Sequence, residues 1–150
     1  KLILNPAPFQ KLEDKYLEKV HTITPNITET KYLTEIDITD IDKSKLAAKK
    51  LLDKGIKNVI ITMGSKGVFF MSEDEMAHIE AENVNAIDTT AAGDTFNGAL
   101  ATAFSHSIDL IKSIKFSNAA AALSVTKLGA QSSIPSISQL DKKFQDYVYS

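Results

Sequence analysis

Short apolar runs alternate with segments whose apolar residues recur at helical spacing, the pattern of strand–helix–strand units around a largely parallel sheet. Leu2 to Leu4 reads as a strand that "NPAP" ends, because neither proline can serve a sheet ladder. "FQKLEDKYLEKV" then carries Leu12, Tyr16, Leu17 and Val20 on one face, which predicts one amphipathic helix. "HTITP" is the next strand, closed by Pro25, and Asn26 is placed to cap a helix through "NITETKYL". From Asp42 a further helix is expected, with Leu46, Leu51 and Leu52 on its apolar side and Gly55 as its stop.

"NVIITMGSKGVFFMS" reads as two strands around a tight glycine-bearing turn, and the alternating "EMAHIEA" adds a strand, so this part of the sheet is expected to be antiparallel. Beyond Gly93 the period changes. "DTFNGALATAFSHS" and "IDLIKSIKFSNAAAALSVTK" are two helices divided near Ser107, and "SISQLDKKFQDYVYS" is a last helix after Pro135. No internal repeat, low-complexity tract or linker interrupts the pattern, so residues 1–150 are expected to form a single domain.

Composition narrows the function classes. The 150 residues are 43% hydrophobic and 24% charged, with a formal net charge of -2 and both signs mixed along the chain. That leaves no basic face for nucleic acid and no polybasic segment for a membrane surface. The lack of cysteine excludes disulfide and thiolate chemistry and fits a cytoplasmic protein. No apolar run approaches the roughly 20 residues that span a bilayer, and the first residues do not read as a signal peptide. An apolar strand of the buried kind almost at the first residue, Lys1, leads us to expect further sequence before it.

Four short segments carry candidate chemistry. In "DTTAAGDTF", Asp88 to Phe96, small residues stand directly before a helix and Asp94 falls in its first turn. Unpaired N–H groups at a helix start attract anions, and small residues let a bound group approach them. Asp94 can serve as a base toward a hydroxyl attacking phosphorus, or simply cap the helix. In "TMGSKG", Thr62 to Gly67, glycines and hydroxyls at a strand end suit phosphate, although a plain hairpin turn needs the same residues. In "TPNITE", Asn26 and Glu29 lie one helical turn apart, a spacing that suits the water shell of a magnesium ion or a capping box. "KLGAQSSIP", Lys127 to Pro135, offers carbonyls and hydroxyls for a cation, or a helix C-cap and turn. His21, His78 and His106 show no metal-ligand spacing and are read as structural or exposed.

Taken in order, "NPAP", "ITPNITET", "VIITMGSKGV", "DTTAAGDTFNGAL" and "GAQSSIP" resemble the PfkB, or ribokinase-like, carbohydrate kinase family over essentially the whole chain. The resemblance is to the C-terminal half of that family. It implies an α/β three-layer sandwich with a mostly parallel sheet and some antiparallel strands, without the N-terminal strands and β-sheet lid. It further implies phosphoryl transfer from MgATP to a sugar hydroxyl, with D-ribose as acceptor, or otherwise adenosine, fructose or a sugar phosphate. A non-catalytic nucleotide-binding fragment is the reading from another class.

On the family's pattern Asp94 is the catalytic base, and Ala91, Ala92 and Gly93 form the anion hole. Asn26 and Glu29 match the Asn-x-x-Glu motif that handles magnesium and phosphate. Thr62, Gly64, Ser65 and Gly67 match the nucleotide phosphate and ribose turn, and Asn118 falls beside the adenine. Asp88, Thr90, Ser124, Lys127, Gly129 and Ser133 fall at the positions of a potassium site, several through main-chain carbonyls. Thr90 stands where an apolar residue is common, and Ile27 where an acidic one is frequent. The family's sugar grip and its homodimer contact belong mostly to the N-terminal half and the lid.

Overall fold

The computed structural model describes residues 1–149, and the chain divides into two compact units, Lys1–Glu80 and Ala81–Ser150. The first unit carries a five-stranded sheet in sequence order: β1 (Ile3–Leu4), β2 (Thr22–Ile23), β3 (Asn58–Thr62), β4 (Val68–Ser72) and β5 (Met76–Ile79). The pairs β1–β2 and β2–β3 are parallel, and β3–β4 and β4–β5 antiparallel. The change of sense falls where the sequence has no crossover helix, only the turn after Thr62. Antiparallel neighbours need a short hairpin, whereas parallel ones need a long connection.

Helices α1 (Asp14–Leu17), α2 (Ile27–Thr34) and α3 (Ile41–Leu52) complete this unit. Its core gathers Leu17, Val20, Ile23, Ala47, Ala48, Leu51, Val59, Ile61 and Phe69. Val59, Ile60 and Ile61 are all fully buried. A strand buried on both faces reads as a continuous apolar run, which is why "VIIT" shows no alternation.

Two helices differ from the periodicity reading. Of the helix expected through Phe9–Val20, only the single turn α1 forms. Phe9 instead stacks on Tyr32, with ring centroids 5.3 Å apart, and the far end tightens through i+3 bonds from Lys19 and Val20 to the Tyr16 and Leu17 carbonyls. Glu13, the N-cap, makes no side-chain cap bond, so neither end propagates the helix. In α3 the core face is Ser44, Ala47, Ala48 and Leu51, and Leu46 is 52% exposed. Small residues at those positions let the helix approach closely, and Leu46 lies outside the i, i+3, i+4, i+7 stripe they define. Asp40 caps the helix, accepting the Lys43 amide at 2.8 Å, while Gly55 follows its end.

The second unit consists of α4 (Ala92–Ser105), α5 (Leu110–Ser124) and α6 (Lys142–Tyr149), with 3-10 turns at Gln131–Ser133 and Ile137–Gln139. Ala103, Phe116, Ala119, Ala120, Leu140, Phe144 and Val148 form its core. α4 and α5 divide at Ser107 as expected, with Ser107 left-handed at φ 57°. The last expected helix is broken. Ser136 and Gln139 close a capping box around a 3-10 turn, Leu140 turns extended to bury its side chain, and α6 starts afresh behind Asp141. Ser150, the end of that expected helix, lies outside the described residues.

Candidate functional site

In the first unit, the parallel pairing of β2 and β3 sets their carboxyl ends side by side. The Thr62 amide donates to the Pro25 carbonyl at 2.9 Å, and Asn26 bridges Thr62 beyond the regular ladder. The topology thereby brings Asn26 and Thr62 together, although 36 residues separate them in "TPNITE" and "TMGSKG". Strand ends of this kind are where open α/β sheets hold ligands.

Asn26 and Glu29 form a complete capping box. The Asn26 Oδ1 accepts the Glu29 amide at 2.9 Å, and the Glu29 Oε2 accepts the Asn26 amide at 2.8 Å. Glu29 is only 9% exposed, and Asn26 is exposed. The capping box is complete. Each side chain spends one oxygen lone pair on the backbone, and Glu29 keeps a second carboxylate oxygen beyond the one in the box.

After β3 the chain makes a 3-10 turn, Gly64–Lys66, with Gly64 at φ 58° and Gly67 at φ 82°. The turn is tied by Lys66 N–H to the Met63 carbonyl at 3.2 Å, Gly67 N–H to Gly64 at 2.9 Å and Met63 N–H to Gly67 at 2.8 Å. Gly64 and Ser65 are exposed on it, whereas Gly67 is buried.

In the second unit the start of α4 carries no side-chain cap. Ala91 is the N-cap of α4, left-handed at φ 61°, with no side-chain cap bond. A non-glycine residue in that region costs about 1 kcal/mol or more and is held there by its surroundings. It turns the chain so that Ala92, Gly93 and Asp94 form the first turn, and the Thr95 amide makes a 2.8 Å bond to the Ala91 carbonyl. An alanine cap offers no side-chain oxygen; the Ala92 amide donates to the Thr89 carbonyl at 3.2 Å, and among the described residues the Gly93 and Asp94 amides are left for water or a bound anion. A Cβ built on Gly93 meets nothing within 4 Å. Asp94 sits three residues after the cap residue, is exposed, and its carboxylate is not spent on the cap. This separates Asp94 from the capping role its position in the sequence left open.

Asp94 also stands at the rim of a cleft of about 200 Å³ lined by Gly98, Ala99, Phe116, Pro135 and Leu140. Thr95 lines it too, is 4% exposed, and its Oγ1 is a buried side-chain oxygen without a hydrogen-bond partner among the described residues. Sequence reasoning passed over Thr95. An orphaned hydroxyl has no sequence signal.

The expected cation residues are partly assembled. Asp88 Oδ1 accepts the Thr90 amide at 2.9 Å, and Oδ2 accepts the Gly129 amide at 2.9 Å. The Thr90 hydroxyl, followed by the Thr90 and Gly129 amides, holds the Asp88 carboxyl below the usual carboxylate range. The Ile87 and Asp88 amides both donate to the Val125 carbonyl, at 2.7 and 3.2 Å, fixing this strip against the end of α5. Ser124 donates its hydroxyl to the Ala121 carbonyl and accepts the Lys127 amide, and Ser133 donates to the Ala130 carbonyl. Asp88, Thr90 and Gly129 are thus joined directly, while Ser124, Lys127 and Ser133 are tied into local turns. The Asp88 carboxylate, the Ser124 and Ser133 hydroxyls and the main-chain carbonyls of this strip are oxygen groups of the type hard cations take, whereas the Thr90, Gly129 and Lys127 amides donate N–H. Asn118 lies on α5, 9% exposed.

Among the described residues no group of three or more His, Cys, Asp or Glu side chains could hold a metal ion. His21 pairs with the Thr22 hydroxyl at 2.8 Å, and His106 forms the C-cap of α4. Nor is any described helix long and apolar enough to cross a membrane.

A mixed five-stranded sheet together with these helices defines an α/β protein. The family model for pfkB family carbohydrate kinases matches residues 1–137, and the chain belongs to that family. It is 50% identical over 135 residues to a ribokinase of Haemophilus influenzae, a match covering 90% of this chain and 44% of that protein. It is 42% identical over 142 residues to a deoxyribokinase of Salmonella typhi, covering 94% and 46% respectively. Among solved structures, the ribokinase of Thermotoga maritima aligns with a TM-score of 0.83 at 38% identity, over 99% of this chain and 48% of that one. The ribokinase of Arabidopsis thaliana complexed with ribose and ATP aligns with a TM-score of 0.85 at 27% identity, over 99% and 47%. The chain spans about half the length of the curated relatives it matches.

Proposed function

We propose that residues 1–150 supply the C-terminal nucleotide-binding and catalytic half of an ATP-dependent sugar kinase, whose reaction converts D-ribose to D-ribose 5-phosphate. The observation that carries this reading is the start of α4, where left-handed Ala91 gives the first turn no side-chain cap and Asp94 keeps its carboxylate free. Asp94 takes the proton of the sugar hydroxyl as that oxygen forms its bond to the γ-phosphorus. The bond from phosphorus to the bridging oxygen breaks, and ADP leaves with the electron pair. Amides of Ala91, Ala92 and Gly93 hold the charge on the transferring group, that of Ala92 on leaving the Thr89 carbonyl it bonds at 3.2 Å, and positioned donors do this most strongly where the charge develops.

Thr62, Gly64, Ser65 and Gly67 bind the nucleotide phosphates and ribose, and Asn118 sits by the adenine. Asn26 and the remaining Glu29 oxygen are the groups that would orient the waters of a magnesium ion, which would neutralise phosphate charge when bound. Asp88, Gly129 and the carbonyls of Thr90, Ser124 and Lys127, with the Ser133 hydroxyl, are the residues that would hold potassium. The pentose acceptor is supported by relatives named ribokinase and deoxyribokinase. We take the whole enzyme as cytoplasmic and homodimeric.

Because the chain spans about half of its relatives' length, a second reading is a nucleotide-binding module without turnover of its own. Calorimetric titration of ADP and MgATP into the 150-residue chain, in potassium buffer, tests the common core of both. Saturable binding that weakens when the Gly64–Gly67 turn is disrupted is the expected result. No binding by a demonstrably folded chain would overturn both. Turnover of ribose by this chain, with or without its complementary half, would then separate them.

A further inference from the structure

We propose that His78 is a positioning residue for the Gly64–Gly67 turn, acting on its nucleotide affinity from the far side of the hairpin. This inference rests on the nucleotide reading of the turn given above. The turn's own backbone bonds satisfy the carbonyls of Met63, Gly64 and Gly67. The Lys66 carbonyl is bonded instead by the His78 Nε2, at 2.7 Å. A carbonyl can only accept, so this Nε2 carries a proton and donates.

The anchor comes from an ordered element. His78 lies on β5, paired with Phe69 of β4, and Val68, which follows the turn directly, pairs with Ile79. Phe69 is 1% and Val68 2% exposed, so the base of the hairpin is locked by packing. The turn itself is not. It is three residues of 3-10 helix flanked by glycines, with Gly64, Ser65 and Lys66 all exposed. Short 3-10 segments have poor hydrogen-bond geometry, and exposed backbone bonds of this kind open at little cost. A ring fixed to the sheet and holding the outward carbonyl of that turn limits the opening.

The test compares the wild-type 150-residue chain with His78→Phe, which keeps a ring and loses the donor, and His78→Gln, which restores a donating N–H. Amide hydrogen exchange at Lys66 and Gly67 reports opening of the turn, calorimetric titration reports ADP affinity, and a thermal melt reports global stability. His78→Phe is expected to raise exchange at both amides and weaken ADP binding by roughly 2- to 10-fold, the worth of one hydrogen bond. Its melting temperature should stay close to wild type, and His78→Gln should recover most of the affinity. Unchanged exchange in His78→Phe overturns the anchor. Raised exchange with unchanged ADP affinity overturns its role in binding, and equal losses in the two variants overturn the hydrogen bond as the cause. Failure of the wild-type chain to take ADP is a different result and sinks the nucleotide reading itself.

Discussion

Asp88 and Gly129 are joined across 41 residues by a hydrogen bond of 2.9 Å from the glycine amide to the aspartate Oδ2. The other carboxylate oxygen accepts the Thr90 amide, so one side chain ties the strip before α4 to the loop after α5. Gly129 adopts φ +96°, and a Cβ there would come within 2.6 Å of the Ser132 Oγ, so this loop follows a path that L side chains rarely take. The bond thereby links the residues before a strained cap to a loop held by its glycine.

This clamp makes stability depend on acid in one direction. The carboxyl of Asp88 titrates below its ordinary value of 3.8, chiefly through the Thr90 hydroxyl and then the Thr90 and Gly129 amides. A depressed folded value means the contribution is fully present above the unfolded value and is lost as pH falls through the folded one. Thermal melts of wild type and Asp88→Asn should differ most near neutral pH and converge in acid. A gap that stays constant with pH would show that the charge of Asp88 does not matter to the clamp.

Asp94→Asn separates chemistry from binding. In an active kinase containing this half, loss of the base should cut turnover by about 10² to 10⁴-fold. In the 150-residue chain it should leave ADP affinity and the melting temperature nearly unchanged, because the exposed side chain makes no cap. A single-turnover rate within a few-fold of wild type would remove Asp94 from the role of base.

Gly93→Ala should move stability and anion binding in opposite directions. The site has open space for a Cβ, and alanine is favoured over glycine inside a helix by about 0.5–1 kcal/mol, so the chain should become more stable by that order. The added methyl stands where a phosphate would approach the amides, so ADP and MgATP should bind more weakly. Stabilisation with unaltered nucleotide affinity would move the anion site away from Gly93.

Thr95→Val should stabilise the isolated chain. The buried Oγ1 has no partner among the described residues, and an unsatisfied buried hydroxyl costs about 1–3 kcal/mol, whereas valine fills the same shape without that cost. Chemical denaturation should show a gain on the order of 1 kcal/mol. A loss of similar size would mean that the hydroxyl is hydrogen-bonded in solution.

Much of this molecule was legible in its residues. Asn26 with Glu29 announced a capping box, and the box is formed as the spacing allows. The β3–β4 hairpin, the antiparallel β5 and the break at Ser107 followed from glycine placement and alternation, which act over a few residues. The helix through Phe9–Val20 was not legible. Its ends are claimed by partners distant in sequence, Tyr32 for Phe9 and the core for Val20, and tertiary contacts outweigh a weak helical propensity.

The sequence by itself determined the α/β class, the order of elements and the family, because turn chemistry, periodicity and motif spacing are properties of neighbouring residues. Tertiary structure alone decided which of those motifs meet. Parallel pairing of β2 with β3 put Asn26 beside Thr62, the Asp88 carboxylate found the Gly129 amide, and His78 reached the Lys66 carbonyl across a strand. It also decided that Asp94 is not a cap, since that depended on Ala91 taking a left-handed conformation that no alanine adopts on local preference. Hydrogen bonds over tens of residues depend on how the chain is folded back, and composition or spacing carries no record of it.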